Sequence, residues 1–349
     1  MKNKFLIGVI TVFSAIFVSI LILNFLNSSS NNDNYFERKF SKNEILIFHK
    51  KYEKLDKKSI YELYYSNTSI IEGSQKNIGN NKKTYNLNFS DLSFSNKNKL
   101  SINLPIDSNV LFIDSNWIIY SSKSKLYKYD IINKNIIETK IKNVDISFLI
   151  SLDNVSNKYL FFGEIFRNNS YKSGFFILDI LENKILDSKI LQTNAKSYKP
   201  ETVVEHCGYF QKAEINSISY TCDKNSKIFI FNGKGLFLNE LNTNDNTSLP
   251  KVIKNANNEC YYSRAGLKFT NAGLFMADNN IYVFSMASKE KDKIIIDQYS
   301  KLNMKYIQSF KLNYNNYCSS DIVNVYIKQD MIILKFETNY ASFKFSRYI

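Results

Sequence analysis

LYKYDIINKNIIETKI, residues Leu126–Ile141, and FFILDILENKILDSKI, residues Phe175–Ile190, align without a gap at an offset of 49. Asp130 falls on Asp179, Ile131 on Ile180, Ile136-Ile137 on Ile185-Leu186, and Glu138-Thr139-Lys140-Ile141 on Asp187-Ser188-Lys189-Ile190. In each copy a run rich in β-branched and aromatic residues leads into an Asx-rich turn and out into a second run, which is the pattern of a β-hairpin. A degenerate third copy, Tyr299–Ser309 (YSKLNMKYIQS), keeps the turn Asn and the large pair after it. A shortened fourth, Ile228–Leu238, turns on Asn232-Gly233-Lys234-Gly235, the strongest local hairpin signal in the chain.

Each hairpin is preceded by another strand pair with fewer charges: Val110–Ile113 with Trp117–Tyr120, Ile146–Leu152 with Tyr159–Glu164, Cys207–Phe210 with Ser217–Cys222, and Leu267–Met276 with Ile281–Met286. Two hairpins per unit make four antiparallel strands, and four strands every ~40 to 50 residues is the signature of a propeller blade. Over roughly residues 80–349 the chain thereby resembles bacterial β-propeller repeat proteins, in which a strand ending Tyr-Asp or Leu-Asp is followed by a turn and another strand. The resemblance implies an architecture only. No WD, kelch or Asp-box motif accompanies it, so no activity comes with it.

A single blade cannot bury both faces of its sheet, and stacking blades about an axis does so while leaving only short edges. The last unit holds three strands, Asp321–Ile327, Met331–Glu337 and Tyr340–Ser346, so a fourth is expected from the N-terminal part of the domain, Glu44–Phe48 or Tyr61–Tyr65. Ser41-Lys42-Asn43-Glu44 has the form of a helix capping box, which leaves a short helix over Ile45–Leu55 as the competing reading of that segment. The expectation is an all-β propeller of six four-stranded blades, within a range of five to seven, over residues 44–349. The alternative is a β-sandwich with inserted hairpins. Composition agrees with an all-β chain: Phe 27 and Tyr 24 against Gly 10 and Pro 3.

Ahead of this domain, Phe5–Leu23 (FLIGVITVFSAIFVSILIL) runs without a charge. As a helix it would cover ~28 Å, close to the ~30 Å hydrocarbon thickness of a bilayer. Lys2 and Lys4 precede it and Asn24–Asn34 carries no basic residue, so residues 1–4 are expected in the cytoplasm, 5–23 as a single-pass anchor, 24–43 as a polar tether and the remainder as extracytoplasmic, at the inner membrane and facing the periplasm. The alternative is a cleaved signal peptide using Ser28 and Ser30.

The net charge of +14 comes almost entirely from lysine; Arg38, Arg167, Arg264 and Arg347 are the only arginines. Bidentate reading of bases or phosphates therefore has little material, and nucleic acid is not an expected partner. Anionic lipid head groups, acidic glycans or an acidic protein are. Four cysteines in an exported chain favour two disulfides, with Cys207 paired to Cys222 and Cys260 to Cys318 as the preferred connectivity of three.

Chemistry-bearing motifs are scarce. His49 and His206 are the only histidines, no C-x-x-C is present, and Gly-x-Ser-x-Gly, His-Glu-x-x-His, Gly-x-Gly-x-x-Gly and Walker-type loops are all missing. No catalytic residue, metal or cofactor is expected. One enzymatic possibility is kept: Asp114, Asp153, Glu164 and Glu205 as strand-end carboxylates on one face, a pattern that would suit glycan processing. The leading expectation is a membrane-anchored binding or scaffold protein that engages another protein through a propeller face, as an envelope assembly factor or an immunity-type protein. A glycan-binding or glycan-processing propeller is the alternative.

Overall fold

Strands such as Lys158–Arg167 (KYLFFGEIFR) are apolar on both faces over most of their length, which suits a sheet packed on each side by another sheet. A computed structural model describes residues 36–53, 62–64, 69–79, 82–91, 93–95, 97–113, 116–123, 125–152, 157–194, 201–214, 216–255, 259–263, 267–288, 290, 292–328 and 331–346. The chain divides into Met1–Glu37 and Arg38–Ile349, and every strand among the described residues belongs to the second unit. The apolar stretch Phe5–Leu23, most of the tether 24–43, Asp114, Asp153, Arg264 and Arg347 lie outside the described residues. Among those described, no helix is long and apolar enough to cross a membrane.

The first strand, β1 (Leu46–Glu53), joins the last blade. Blade 1 is β2 (Glu62–Tyr64), β3 (Ser69–Gly79), β4 (Lys82–Asp91) and β5 (Lys97–Pro105); blade 2 is β6 (Asn109–Ile113), β7 (Trp117–Ser122), β8 (Lys125–Asp130) and β9 (Asn135–Glu138). Blade 3 is β10 (Val144–Ser151), β11 (Lys158–Arg167), β12 (Ser170–Asp179) and β13 (Lys184–Asn194). A short helix, α1 (Glu201–Glu205), leads to blade 4: β14 (Gly208–Glu214), β15 (Ser217–Cys222), β16 (Lys227–Asn232) and β17 (Phe237–Asn242). A two-stranded ribbon, β18 (Val252–Lys254) with β19 (Cys260–Tyr262), precedes blade 5: β20 (Asn271–Ala277), β21 (Asn280–Ser285), β22 (Ile294–Ser300) and β23 (Tyr306–Leu312). Blade 6 is β24 (Ile322–Lys328), β25 (Met331–Phe336), β26 (Asn339–Phe345) and β1.

Blades 1 to 5 are four-stranded antiparallel meanders, blade 6 is a three-stranded meander completed by β1, and from blade 1 to blade 6 the first strands of successive blades contact one another around the axis. The protein is a six-bladed β-propeller. The expected closure holds in its first form: β1, overlapping Glu44–Phe48, pairs antiparallel with β26 from Leu46↔Phe345 to Glu53↔Asn339 as the outermost strand of blade 6. Glu62–Tyr64 instead opens blade 1, and a strand, not a helix, follows Ser41–Glu44. Connections between blades and second-to-third turns share one face, here called upper; first-to-second and third-to-fourth turns lie on the lower face.

Each seam between blades is a separate apolar core. The seam of blades 3 and 4 is mostly aromatic, with Phe162, Phe175, Phe210, Tyr220 and Phe229 fully buried. The seam of blades 6 and 1 is the smallest, Ile70, Tyr326, Ile333 and Tyr340. Near the axis β20 keeps its inner edge satisfied by a side chain: Gln211 accepts the Leu274 N–H (3.1 Å) and donates its amide to the Leu274 carbonyl. Gly273 beside it has φ +136°, and a Cβ there would sit 2.7 Å from Val325 Cγ2, so only glycine lets β20 and β24 approach this closely.

The internal repeat is the third-to-fourth hairpin of successive blades, and its likeness extends to the backbone. Lys134 (φ 53°), Asn183 (φ 49°) and Met304 (φ 58°) take the left-handed conformation at the same fifth place of the turns that begin at Asp130, Asp179 and Ser300. Asp130 accepts the N–H groups of Ile132 and Asn133, both at 2.9 Å, and the Asn133 amide at 2.8 Å. The Asn133 N–H and amide hold the Asp130 carboxyl below the usual carboxylate range.

All four cysteines are free thiols. Neither expected disulfide is formed, and the register gives the reason. Gly208, not Cys207, lies opposite Cys222. Cys260 belongs to the inserted ribbon and not to the start of a blade, whereas Cys318 caps the 3₁₀ turn Ser319–Asp321 that leads into β24. Burial raises the pKa values of Cys207 and Cys222.

Candidate functional site

Two elements beyond the six blades are built on the upper face, and they pack on each other. Helix α1 occupies the connection from blade 3 to blade 4, the β18–β19 ribbon the connection from blade 4 to blade 5, and α1 touches β18 and β19 as well as β11 and β12. Lys254 Nζ pairs with Glu201 Oε1 at 2.6 Å, and Tyr262 donates its hydroxyl to the Val204 carbonyl at 2.7 Å. Lys224 Nζ stands 4.6 Å from the Tyr262 ring centre and 5.0 Å from that of Phe269, a cation held between two rings. Thr202 ties α1 to blade 3 through Gln192.

Beside this cap, between blades 2 and 3, lies a cavity of about 460 Å³ whose wall includes Lys125, Lys142, Asp145, Glu164, Phe166 and Tyr171. Phe166 and Tyr171 face each other across the second-to-third turn with ring centres 4.7 Å apart. Glu164 is buried; Ser173 donates to its Oε1 at 2.5 Å, and its Oε2 has no hydrogen-bond partner. Asp145 is its cross-strand neighbour. Burial, reinforced by the charges of Asp145 and Glu201, pushes the Glu164 pKa up to about 7 against the Ser173 hydrogen bond. The site thus offers a carboxyl that holds its proton near neutrality, two aromatic rings and two lysines at one opening.

Of the four carboxylates singled out in the sequence, the structure places Glu164 in the cavity and Glu205 at the end of α1. Burial and then Glu201 raise the Glu205 pKa. Asp145 and Glu201, which sequence reasoning did not single out, are the groups whose charge reaches Glu164. Glu205 and His206 belong to a helix end and not to a strand: His206 is buried, its Nδ1 lies 3.0 Å from the Thr202 carbonyl, and burial lowers its pKa. His49 is exposed on β1, at the register shift between Phe48 and Lys50. Arg167 is an exposed neighbour of Asp187, and Arg38 is buried against Asp297. Among the described residues no cluster of three or more His, Cys, Asp or Glu side chains is placed to hold a metal ion.

No protein-family model matches the chain, and no curated protein does. Solved structures similar to it include a member of the DUF4221 family from Bacteroides vulgatus (11% identity, 87% of this chain and 98% of that chain, TM-score 0.40). Others are the Neurospora crassa Pan2 WD40 domain (9%, 83% and 89%, TM-score 0.38) and a streptogramin B lyase (11%, 80% and 98%, TM-score 0.36). At such scores they carry no argument about function, and the six-bladed assignment rests on the strand pairing of the blades themselves.

The raised Glu164 pKa has a consequence for stability. A carboxyl that binds its proton more tightly when folded stabilises the fold fully below its unfolded pKa near 4.5, and that contribution is lost as pH rises through about 7. Glu164→Gln is therefore expected to match the parent near pH 4 and to exceed it by about 1–2 kcal/mol near pH 8.5, after allowance for water in the open cavity. Urea unfolding at the two pH values checks this. An equal difference at both would place the effect in packing instead.

Proposed function

We propose that this chain is a membrane-anchored extracytoplasmic binding protein whose propeller engages a partner protein through its upper face. The observation that carries the reading is the placement of exposed rings. Phe166, Tyr261 and Phe269 are all exposed on that face, on or next to the segments added to the bare ring. Aromatic side chains presented on a rigid support are what protein interfaces use as anchors, and loops held by a scaffold are where binding residues concentrate.

The test is co-purification with the full chain from solubilised membranes. A stoichiometric partner is expected, retained by the parent and reduced at least about tenfold when Phe166, Tyr261 and Phe269 are all changed to alanine, since each anchor contributes about 1 kcal/mol or more. Retention by the triple variant would refute the reading. The glycan alternative has one observation in its favour, the buried Glu164, its pKa raised to about 7, beside the Phe166–Tyr171 pair. It predicts instead that binding or turnover of an oligosaccharide disappears in Glu164→Gln with no protein partner recovered.

A further inference from the structure

The lower face repeats a second feature that the upper-face reading does not use. At the tip of four successive third-to-fourth turns stands an exposed aliphatic residue: Ile132 in blade 2 (71% exposed), Leu181 in blade 3 (68%), Leu236 in blade 4 (51%) and Leu302 in blade 5 (90%). Each has an exposed lysine within three residues, respectively Lys134, Lys184, Lys234 and Lys305. The outer strands that follow begin with further exposed aliphatics, Ile136, Leu186 and Ile307 among them. Isolated exposed leucines need no explanation, but the same placement on four consecutive blades, each time beside a lysine, does.

Phe40 pairs in parallel with Ser309 on the outer edge of blade 5, with Ser309 N–H donating to the Lys39 carbonyl and Ser41 N–H to the Ser309 carbonyl, each at 2.9 Å. β23 rises from the lower turn and its parallel neighbour rises with it, while the Arg38 guanidinium reaches Ser285 Oγ and the Ala287 carbonyl at the upper end of β21. Lys39 N–H reaches the hydroxyl of Tyr306, the first residue of β23, at 3.0 Å. The 37 residues that precede Arg38 contain the apolar stretch Phe5–Leu23.

We propose that the lower rim of the propeller rests on an anionic lipid surface, with Ile132, Leu181, Leu236 and Leu302 entering the interface and the adjacent lysines meeting the head groups. The inference rests on the proposed membrane anchoring and adds an orientation to it. Single aliphatic tips separated by a blade's width do not make the continuous apolar core of a protein interface, but they suit shallow insertion into lipid, where each tip acts alone. The net charge of +14 and a lysine at every tip favour acidic head groups. Glu182, exposed next to Leu181, offsets one of these charges. In this orientation the upper face points away from the bilayer, where a partner reaches it.

The full chain, reconstituted in phosphatidylcholine vesicles with or without phosphatidylglycerol, provides the test. An environment-sensitive fluorophore is attached at Leu181→Cys, Leu302→Cys or, as the upper-face control, Phe269→Cys, with the parent's signal subtracted. Quenching by lipid-borne spin labels is expected to be several-fold greater at positions 181 and 302 than at 269, and greater with phosphatidylglycerol. Equal quenching at all three, or none at the rim, overturns the orientation, as does crosslinking of the rim to a second copy of the chain. Alkaline extraction separates this from the anchor. A chain that resists extraction but shows no rim quenching keeps its anchor and refutes the rim, whereas an extractable chain that still shows rim quenching loses the anchor and supports the rim.

Discussion

Glu72→Ala is expected to destabilise the propeller by about 3–5 kcal/mol, seen as a lower urea midpoint at unchanged slope. Glu72 stands on β3 of blade 1 and Lys335 on β25 of blade 6, with Lys335 Nζ 3.1 Å from Glu72 Oε1 and both side chains less than 10% exposed. Tyr340 donates its hydroxyl to the same oxygen at 2.6 Å. Removing the carboxylate leaves an ammonium and a phenol buried at the seam with the smallest apolar core. The counter-experiment is Glu72→Met with Lys335→Met, which removes both charges and is expected to recover the parent's stability or exceed it. A single variant as stable as the parent would show that Lys335 finds another counter-charge.

Arg38→Ala is expected to cost a similar amount, about 3–5 kcal/mol, through a different part of the ring. The guanidinium donates Nε to Asp297 Oδ1 at 2.9 Å and Nη2 to Oδ2 at 3.0 Å, and Nη2 also meets Ser285 Oγ and the Ala287 carbonyl. Ser309 Oγ donates to the same carboxylate at 2.6 Å. These contacts pin Arg38–Ser41 across blade 5 just before the chain crosses to blade 6 as β1. Loss of amide-exchange protection at Ser41 and Ser309 is expected to exceed that elsewhere in the ring. Arg38→Lys keeps the charge without the planar fork and is expected to restore only part of the loss.

The hairpins were legible because Asp130, Asp179 and Asn232 announce a turn that the flanking apolar runs fit on either side. Blade 1 was harder to read. Its long strands carry Lys, Asn and Ser at many positions (KKTYNLNFSD and KNKLSINLP, for example), and no turn of the repeat marks its hairpins. That a strand from the N-terminal part closes blade 6 followed from counting the three strands after Asp321, whereas the choice of Glu44–Phe48 over Tyr61–Tyr65 and the pairing register of β1 depend on contacts that no local pattern encodes. The cysteines misled because Cys260 lies in a ribbon inserted between blades, and insertions have no periodicity to reveal them. The same limit applied to the cavity: Glu164 was expected at a strand end but lies within β11, three residues before its end at Arg167, and the neighbours that raise its pKa come from β10 and from α1, a helix of five residues.

The pairing of β1 with β26 also sets a timetable for the nascent chain. Leu46 and its partner Phe345 are 299 residues apart (345 − 46), so at roughly 5–20 residues per second about 15–60 s pass between their syntheses. Throughout that interval β1 has no partner strand, and Ile47 and Phe48 belong to an open edge able to pair with any other strand. Blades 1 to 5 can form in order as they emerge, but the ring remains a curved ribbon until the final hairpin arrives.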